Sequence, residues 1–150
     1  MNLILWRHAE AEDGNDDIAR RLTSRGHKQA AKIAAWLQTR LPADTYIIAS
    51  EAVRARQTAA ALYPNHAVDA RLNPGTSVAD HLAVAGWPSC RGNVVIVGHQ
   101  PHLGRLAASL LAGFEADWSV KKGGIWWLQC RIRDEAKQTI LKTIMTPDQL

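Results

Sequence analysis

The side chains best suited to chemistry in this chain sit where apolar runs give out. Leu3-Ile4-Leu5-Trp6 ends in Arg7-His8. Thr45 to Ala49 ends in Ser50, with Arg54 and Arg56 a few residues on. Asn93 to Val97 ends in Gly98-His99. An imidazole can act as nucleophile or as acid and base near neutral pH. A guanidinium offers a planar set of donors that fits the oxygens of an anionic group. One histidine at a strand end is ordinarily a hydrogen-bonded structural residue, and arginines on a short helix are ordinarily solvated. Three such segments ending on one rim would instead gather two imidazoles and at least one guanidinium around an anion.

Other chemistries fit less well. His99-x-x-His102 has a spacing that metal ligands use, but Pro101 interrupts it. It also lacks the Glu and the continuous helix of H-E-x-x-H, so neither a metal site nor a cofactor is expected. Glu10, Glu12 and Asp80 are candidate acids, each expected on exposed loop or helix surface. Arg56 is expected to be structural or at the rim.

The elements that must position these residues alternate. A strand is expected over residues 2–7, covered on both faces. A polar loop follows from Glu10 to Arg21. Thr23 or Ser24 can cap a helix to about Arg40, with Ala30, Ile33, Ala34, Leu37 and Leu41 at helical spacing. A strand over 45–49 leads to a helix over 51–62. A short strand over 66–69 and a helix over 77–85 come next. The strand over 93–97 is followed by a helix with Pro101 in its first turn. Two further strands, 125–132 and 139–144, read as an antiparallel edge pair. The alternation predicts one domain over residues 1–150, α/β in class, with a mainly parallel central sheet and helices on both faces.

Composition narrows the classes of protein. The 150 residues suit a single core, and 47% apolar with 21% charged residues reads as globular rather than disordered. The formal charge of +4 allows an anionic partner, yet the basic residues are spread along the chain. No nucleic-acid module or concentrated basic stripe is visible, so nucleic acid is not an expected partner. Arg7 interrupts any signal-peptide-like start, and no apolar run reaches the ~20 residues that span a bilayer. A cytoplasmic protein without membrane contact is expected, with Cys90 and Cys130 as isolated reduced thiols.

Four segments carry a family resemblance. Arg7-His8-Ala9 resembles the RHG signature of the histidine phosphatase (phosphoglycerate mutase-like) superfamily. Leu22-Thr23-x-x-Gly26-x-x-Gln29-Ala30 is similar to its LTxxGxxQA segment. Ser50 to Ala59 is similar to SxxxRAxQTA, and Val97 to Pro101 to its second-histidine motif. The likeness is greatest to the short SixA-type phosphohistidine phosphatases, through VGHQPxL, Lys121-Lys122-Gly123 and the absence of long insertions. The resemblance implies a three-layer α/β/α fold and a catalytic set of His8, Arg7, Arg54 and His99. His8 would be the nucleophile; Arg7, Arg54 and His99 would bind the phosphate.

Two departures bear on substrate. Ala9 stands where the signature has Gly. The stretch Arg71 to Ser77 has no carboxylate where many members keep an acid for an alkoxide leaving group. A positioned acid is worth ~10²–10⁴ in rate, whereas a phosphorylated imidazole leaves without much help. The expectation is therefore a phosphohistidine phosphatase acting on a signalling or phosphotransfer protein. The alternatives are a small-molecule phosphomonoesterase, with Asp80 as acid, and a non-catalytic module that binds phosphoproteins. Oligomeric state is not legible, and no coiled-coil heptads occur.

Overall fold

The computed structural model describes residues 1–87, 89 and 92–150. Chain order is β1 (Asn2–Arg7), α1 (Ser24–Gln38), β2 (Thr45–Ala49), α2 (Val53–Leu62) and β3 (Ala67–Val68). Then come α3 (Val78–Ala85), β4 (Asn93–Gly98), α4 (His102–Ala112), β5 (Ile125–Arg133) and β6 (Ala136–Met145). Among the described residues these strands make one sheet in the order β3-β2-β4-β1-β5-β6. The four on the left of that order pair in parallel; β1–β5 and β5–β6 are antiparallel. The α/β class, the parallel centre and the antiparallel edge are as expected.

Alternation along the central strands divides the core in two. Ile4, Trp6, Val95 and Val97 face one way, against Ile33 and Leu37 of α1 and Ala55 and Ala59 of α2. Leu3, Leu5, Val94 and Ile96 face the other, against Val78 and Ala85 of α3 and Leu103 and Leu106 of α4. β1 and β4 are buried on both faces, which is why they read as unbroken apolar runs. Their carboxyl ends lie level, Arg7 opposite Gly98, so the polar residues that follow emerge together.

Caps account for the helix limits. The Thr23 hydroxyl accepts from the Gly26 amide at the start of α1. Ser77 and Asp80 form a reciprocal capping box on α3, which ends at Gly86 in the left-handed region.

Several expectations need revision. α2 starts at Val53 rather than 51, and Pro101 is the N-cap of α4 rather than part of its first turn. β6 begins three residues earlier than its pattern indicated, because Asp134 and Glu135 both take positive φ and close a two-residue hairpin. Cys130 is disulfide-bonded, not a reduced thiol; Cys90 lies outside the described residues. Among the described residues no helix is long and apolar enough to cross a membrane.

Candidate active site

The level strand ends bring His8 and His99 together, with ring centroids 5.2 Å apart and planes tilted by 50°. Both are buried, at 7% and 3% exposure. Arg54, the second residue of α2 and only 4% exposed, places its NH2 nitrogen 3.3 Å from His99 Nδ1. Three of the four residues named from sequence thus meet in one place, and the charge of the fourth, Arg7, acts on His8. Arg56 does not join them; it is exposed on the outer face of α2.

The hydrogen bonds determine which nitrogens carry protons. Nδ1 of His8 lies 2.7 Å from the Ala9 carbonyl oxygen, which can only accept, so Nδ1 holds the hydrogen. Nε2 of His8 is left with its lone pair. Burial first, then the charges of Arg54, Arg7 and Arg20, push the His8 pKa down to about 4. At neutral pH the ring is uncharged.

His99 has the opposite tautomer. Arg54 can only donate, so His99 Nδ1 accepts and its Nε2–H donates to Ser50 Oγ at 2.7 Å. Ser50 Oγ also accepts from the Ala52 amide, which leaves its own hydrogen free to be donated. Burial, then His8 and Arg54, lower the His99 pKa to about 3. The sequence-based expectation that His99 offers a donor to the anion needs qualification: both its ring nitrogens are engaged within the protein.

Arg7 is held from the other side. Its NH1 donates to the Val120 carbonyl at 2.9 Å, while its buried Nε has no hydrogen-bond partner among the described residues. Gly123 fixes the adjacent backbone: its amide lies 3.1 Å from the carbonyls of both Arg7 and His8. Its φ of +71° is open to glycine and strained for other residues. Gln100 ties the same loop down, accepting from the Gly104 amide and donating to the Trp118 carbonyl.

Much of what looked like a signature is scaffolding around His8. Thr58 Oγ1 accepts from the Ala9 amide and donates to the Arg54 carbonyl, linking α2 to the end of β1. Gln29 accepts from the Glu10 amide and Gln57 from the Leu22 amide. A Cβ on Gly26 would run into the Glu10 carbonyl oxygen, so α1 packs there only with glycine. Ala9 is fully buried and does not take a positive φ, so the site loses nothing by lacking Gly at this position.

Two residues of the polar loop were missed. Asp17 binds Arg54 twice, through its carbonyl and through a carboxylate oxygen 3.1 Å from NH2. The same carboxylate pairs with Arg20 at 3.0 Å. Arg20 is close enough to His8 to lower its pKa. Three guanidinium groups and one carboxylate leave a double positive charge, matched to a phosphate dianion. Nothing in the periodicity marked this loop; only the density of Asp and Arg in it was a signal.

Two of the three candidate acids are otherwise engaged. Asp80 caps α3 through Ser77, and Glu10 accepts from the Thr23 hydroxyl. Glu12 is exposed. Hydrogen bonds from Arg20 and then Arg54 hold the Asp17 carboxyl below the usual carboxylate range, so it is ionised. His102 does not pair with His99 as a metal ligand would. Its ring stacks on His81, centroids 5.5 Å apart, and His81 donates to the Ser77 carbonyl.

The chain belongs to the histidine phosphatase superfamily (branch 1), whose profile matches residues 3–77. An uncharacterised protein of Picosynechococcus sp. is 35% identical over 83% of this chain and 82% of its own. A Nakamurella multipartitia structure assigned as phosphohistidine phosphatase SixA superposes with a TM-score of 0.79 at 26% identity, over 97% and 95% of the two chains. The protein histidine phosphatase SixA with bound tungstate superposes at 0.82 with 24% identity, over 99% of both chains. The fold also houses small-molecule enzymes: a mycobacterial glucosyl-3-phosphoglycerate phosphatase matches at 0.69 with 22% identity, over 95% and 97%.

Proposed function

We propose that this chain is a phosphohistidine phosphatase acting on a phosphorylated protein, through a phosphoryl group carried transiently on His8. The observation that carries the reading is the tautomer of His8. The Ala9 carbonyl holds the Nδ1 proton and so leaves Nε2 unprotonated, on a ring that feels the charges of Arg54, Arg7 and Arg20.

The steps follow from the groups present. A phosphate dianion is drawn by Arg7, Arg54 and Arg20, with the free Arg7 Nε and the Ser50 hydroxyl as further donors. It competes with Asp17 and His99 for Arg54 and so loosens both contacts. Negative charge next to His99 favours its protonation at Nδ1, which turns that nitrogen from acceptor to donor. The His8 Nε2 lone pair then attacks phosphorus while the P–N bond to the substrate imidazole breaks. Guanidinium charge stabilises the equatorial oxygens as they spread. Water attacks the phosphoryl-His8 phosphorus in the second step, releasing phosphate and restoring the neutral ring.

The leaving group is where the substrate class is decided. Asp80 and Glu10 are engaged in caps, and Asp17 is ionised between two arginines, so none of these three is free to protonate an alkoxide. A phosphorylated imidazole tolerates that arrangement. The test compares kcat/KM for a phosphohistidine-bearing protein with that for sugar phosphates and phosphoserine. A preference of at least ~10² for the P–N substrate is expected from the missing acid; a preference for the esters overturns the reading.

A further inference from the structure

Arg7 also lines a groove of about 700 Å³ beside the site, together with Arg25, Lys28, Lys32, Lys121 and Lys122. In the sequence these cations look scattered. Helical spacing puts Arg25, Lys28 and Lys32 on one face of α1, three and four residues apart. That helix contains no carboxylate to offset them. Lys121 and Lys122 close the opposite wall from the segment before β5. One carboxylate, Asp148, lines the groove and pairs with Lys121 at 3.3 Å. Among the described residues Arg25, Lys28 and Lys122 have no ion pair.

Like charges at such spacing work against a helix, and an anion seated between them removes the conflict. Cations along both walls of an open trough suit an extended anionic surface. The stripe from Arg25 to Lys32 runs about 10 Å along the helix axis. That matches about three residues of extended chain, and it is more than one phosphate occupies.

We propose that this groove seats an acidic stretch of the protein substrate next to its phosphorylated histidine, so that partners are selected by flanking charge. The inference rests on the phosphohistidine phosphatase reading and adds the feature by which a partner is recognised. Arg7 joins the two regions: it lines the groove and borders the centre where phosphate would be transferred.

Two phosphohistidine peptides test this, identical except for Glu or Gln at the residues flanking the histidine. Wild-type protein is expected to show about tenfold higher kcat/KM on the Glu peptide at low ionic strength, with the advantage lost at high salt. Combining Lys28→Gln, Lys32→Gln and Lys122→Gln should bring the Glu peptide to the level of the Gln peptide through KM, leaving kcat and the Gln peptide unchanged. Equal treatment of the two peptides by wild type, or equal loss on both in the variant, overturns the groove assignment. Fluorescence anisotropy with the unphosphorylated Glu peptide separates this outcome from failure of the underlying activity. If wild type cleaves neither peptide but hydrolyses phosphate esters, the functional reading fails. Salt-sensitive binding of the Glu peptide, lost in the triple variant, would still support the groove, and absence of binding would sink it. Tighter binding of a single-stranded oligonucleotide of equal charge would also sink it.

Discussion

The Nδ1–H of His8 donates to the carbonyl of the next residue, Ala9, at 2.7 Å. A side chain bonded to so near a part of its own backbone has little freedom to turn. Burial, then the charges of Arg54, Arg7 and Arg20, keep Nε2 unprotonated. His8→Ala is expected to lower phosphohistidine turnover by about 10³-fold or more, since the nucleophile itself is removed. Labelled phosphate should be trapped on the wild-type protein by an alkaline quench and be missing from the variant. Normal turnover by the variant would remove the covalent route.

Asp17→Asn should tighten binding of inorganic phosphate by about three- to tenfold. The substitution deletes a charge from two arginines, and the effect is modest because the Asp17 side chain is 54% exposed. The Asp17 carbonyl still holds Arg54 NH1 in the variant, so the guanidinium keeps its place. Competitive inhibition by phosphate gives the measurement, and an unchanged constant would show that Asp17 and substrate do not compete.

His8 and His99 both have pKa values below that of a free imidazole, about 4 and about 3. The unfolded chain therefore takes up protons near pH 6.5 that the folded protein refuses. Stability from these groups is complete above about pH 6.5 and declines as pH falls toward 4. The loss between about pH 6.5 and 4.5 should amount to a few kcal/mol for the interacting pair. Urea unfolding at pH 7 and 4.5 measures it, and His99→Asn should flatten the dependence. Imidazole NMR shifts that titrate near 6.5 for both rings would contradict the burial argument.

Gly26→Ala is expected to cost about 2 kcal/mol or more, because the added methyl meets the Glu10 main chain rather than a side chain that can move. Activity should fall as well, since Glu10 lies two residues from His8. A variant within about 0.5 kcal/mol of wild type in urea unfolding, the range of a neutral surface change, would show that α1 can shift at no cost.

Thr58→Val keeps shape while removing the acceptor for the buried Ala9 amide. An unsatisfied buried amide costs about 1–3 kcal/mol. The kcat for phosphohistidine should fall more than stability alone explains, because the Ala9 peptide also orients His8. Unaltered kcat in the folded variant would confine Thr58 to a structural role.

The sequence by itself determined the α/β layers and pointed to Arg7, His8, Arg54 and His99 as the candidate site. Unbroken apolar runs, buried on both faces, make β1 and β4 unmistakable, and their ends place Arg7, His8 and His99 on one rim. The spacing of Ser50 and Arg54 placed the guanidinium in the first turn of the next helix. Tertiary structure alone decided the protonation of both imidazoles, which depends on acceptors and donors brought together by folding: Ala9, Ser50 and Arg54. It alone recruited Asp17 and Arg20, because a polar loop has no periodicity to show which way its side chains turn. It also gathered cations from α1 and the segment before β5 into one groove, since charges about 90 positions apart in the chain become neighbours only once the backbone is folded. Residue types and local spacing carry the elements and their polarity; the electric environment of each group is a property of the assembled fold.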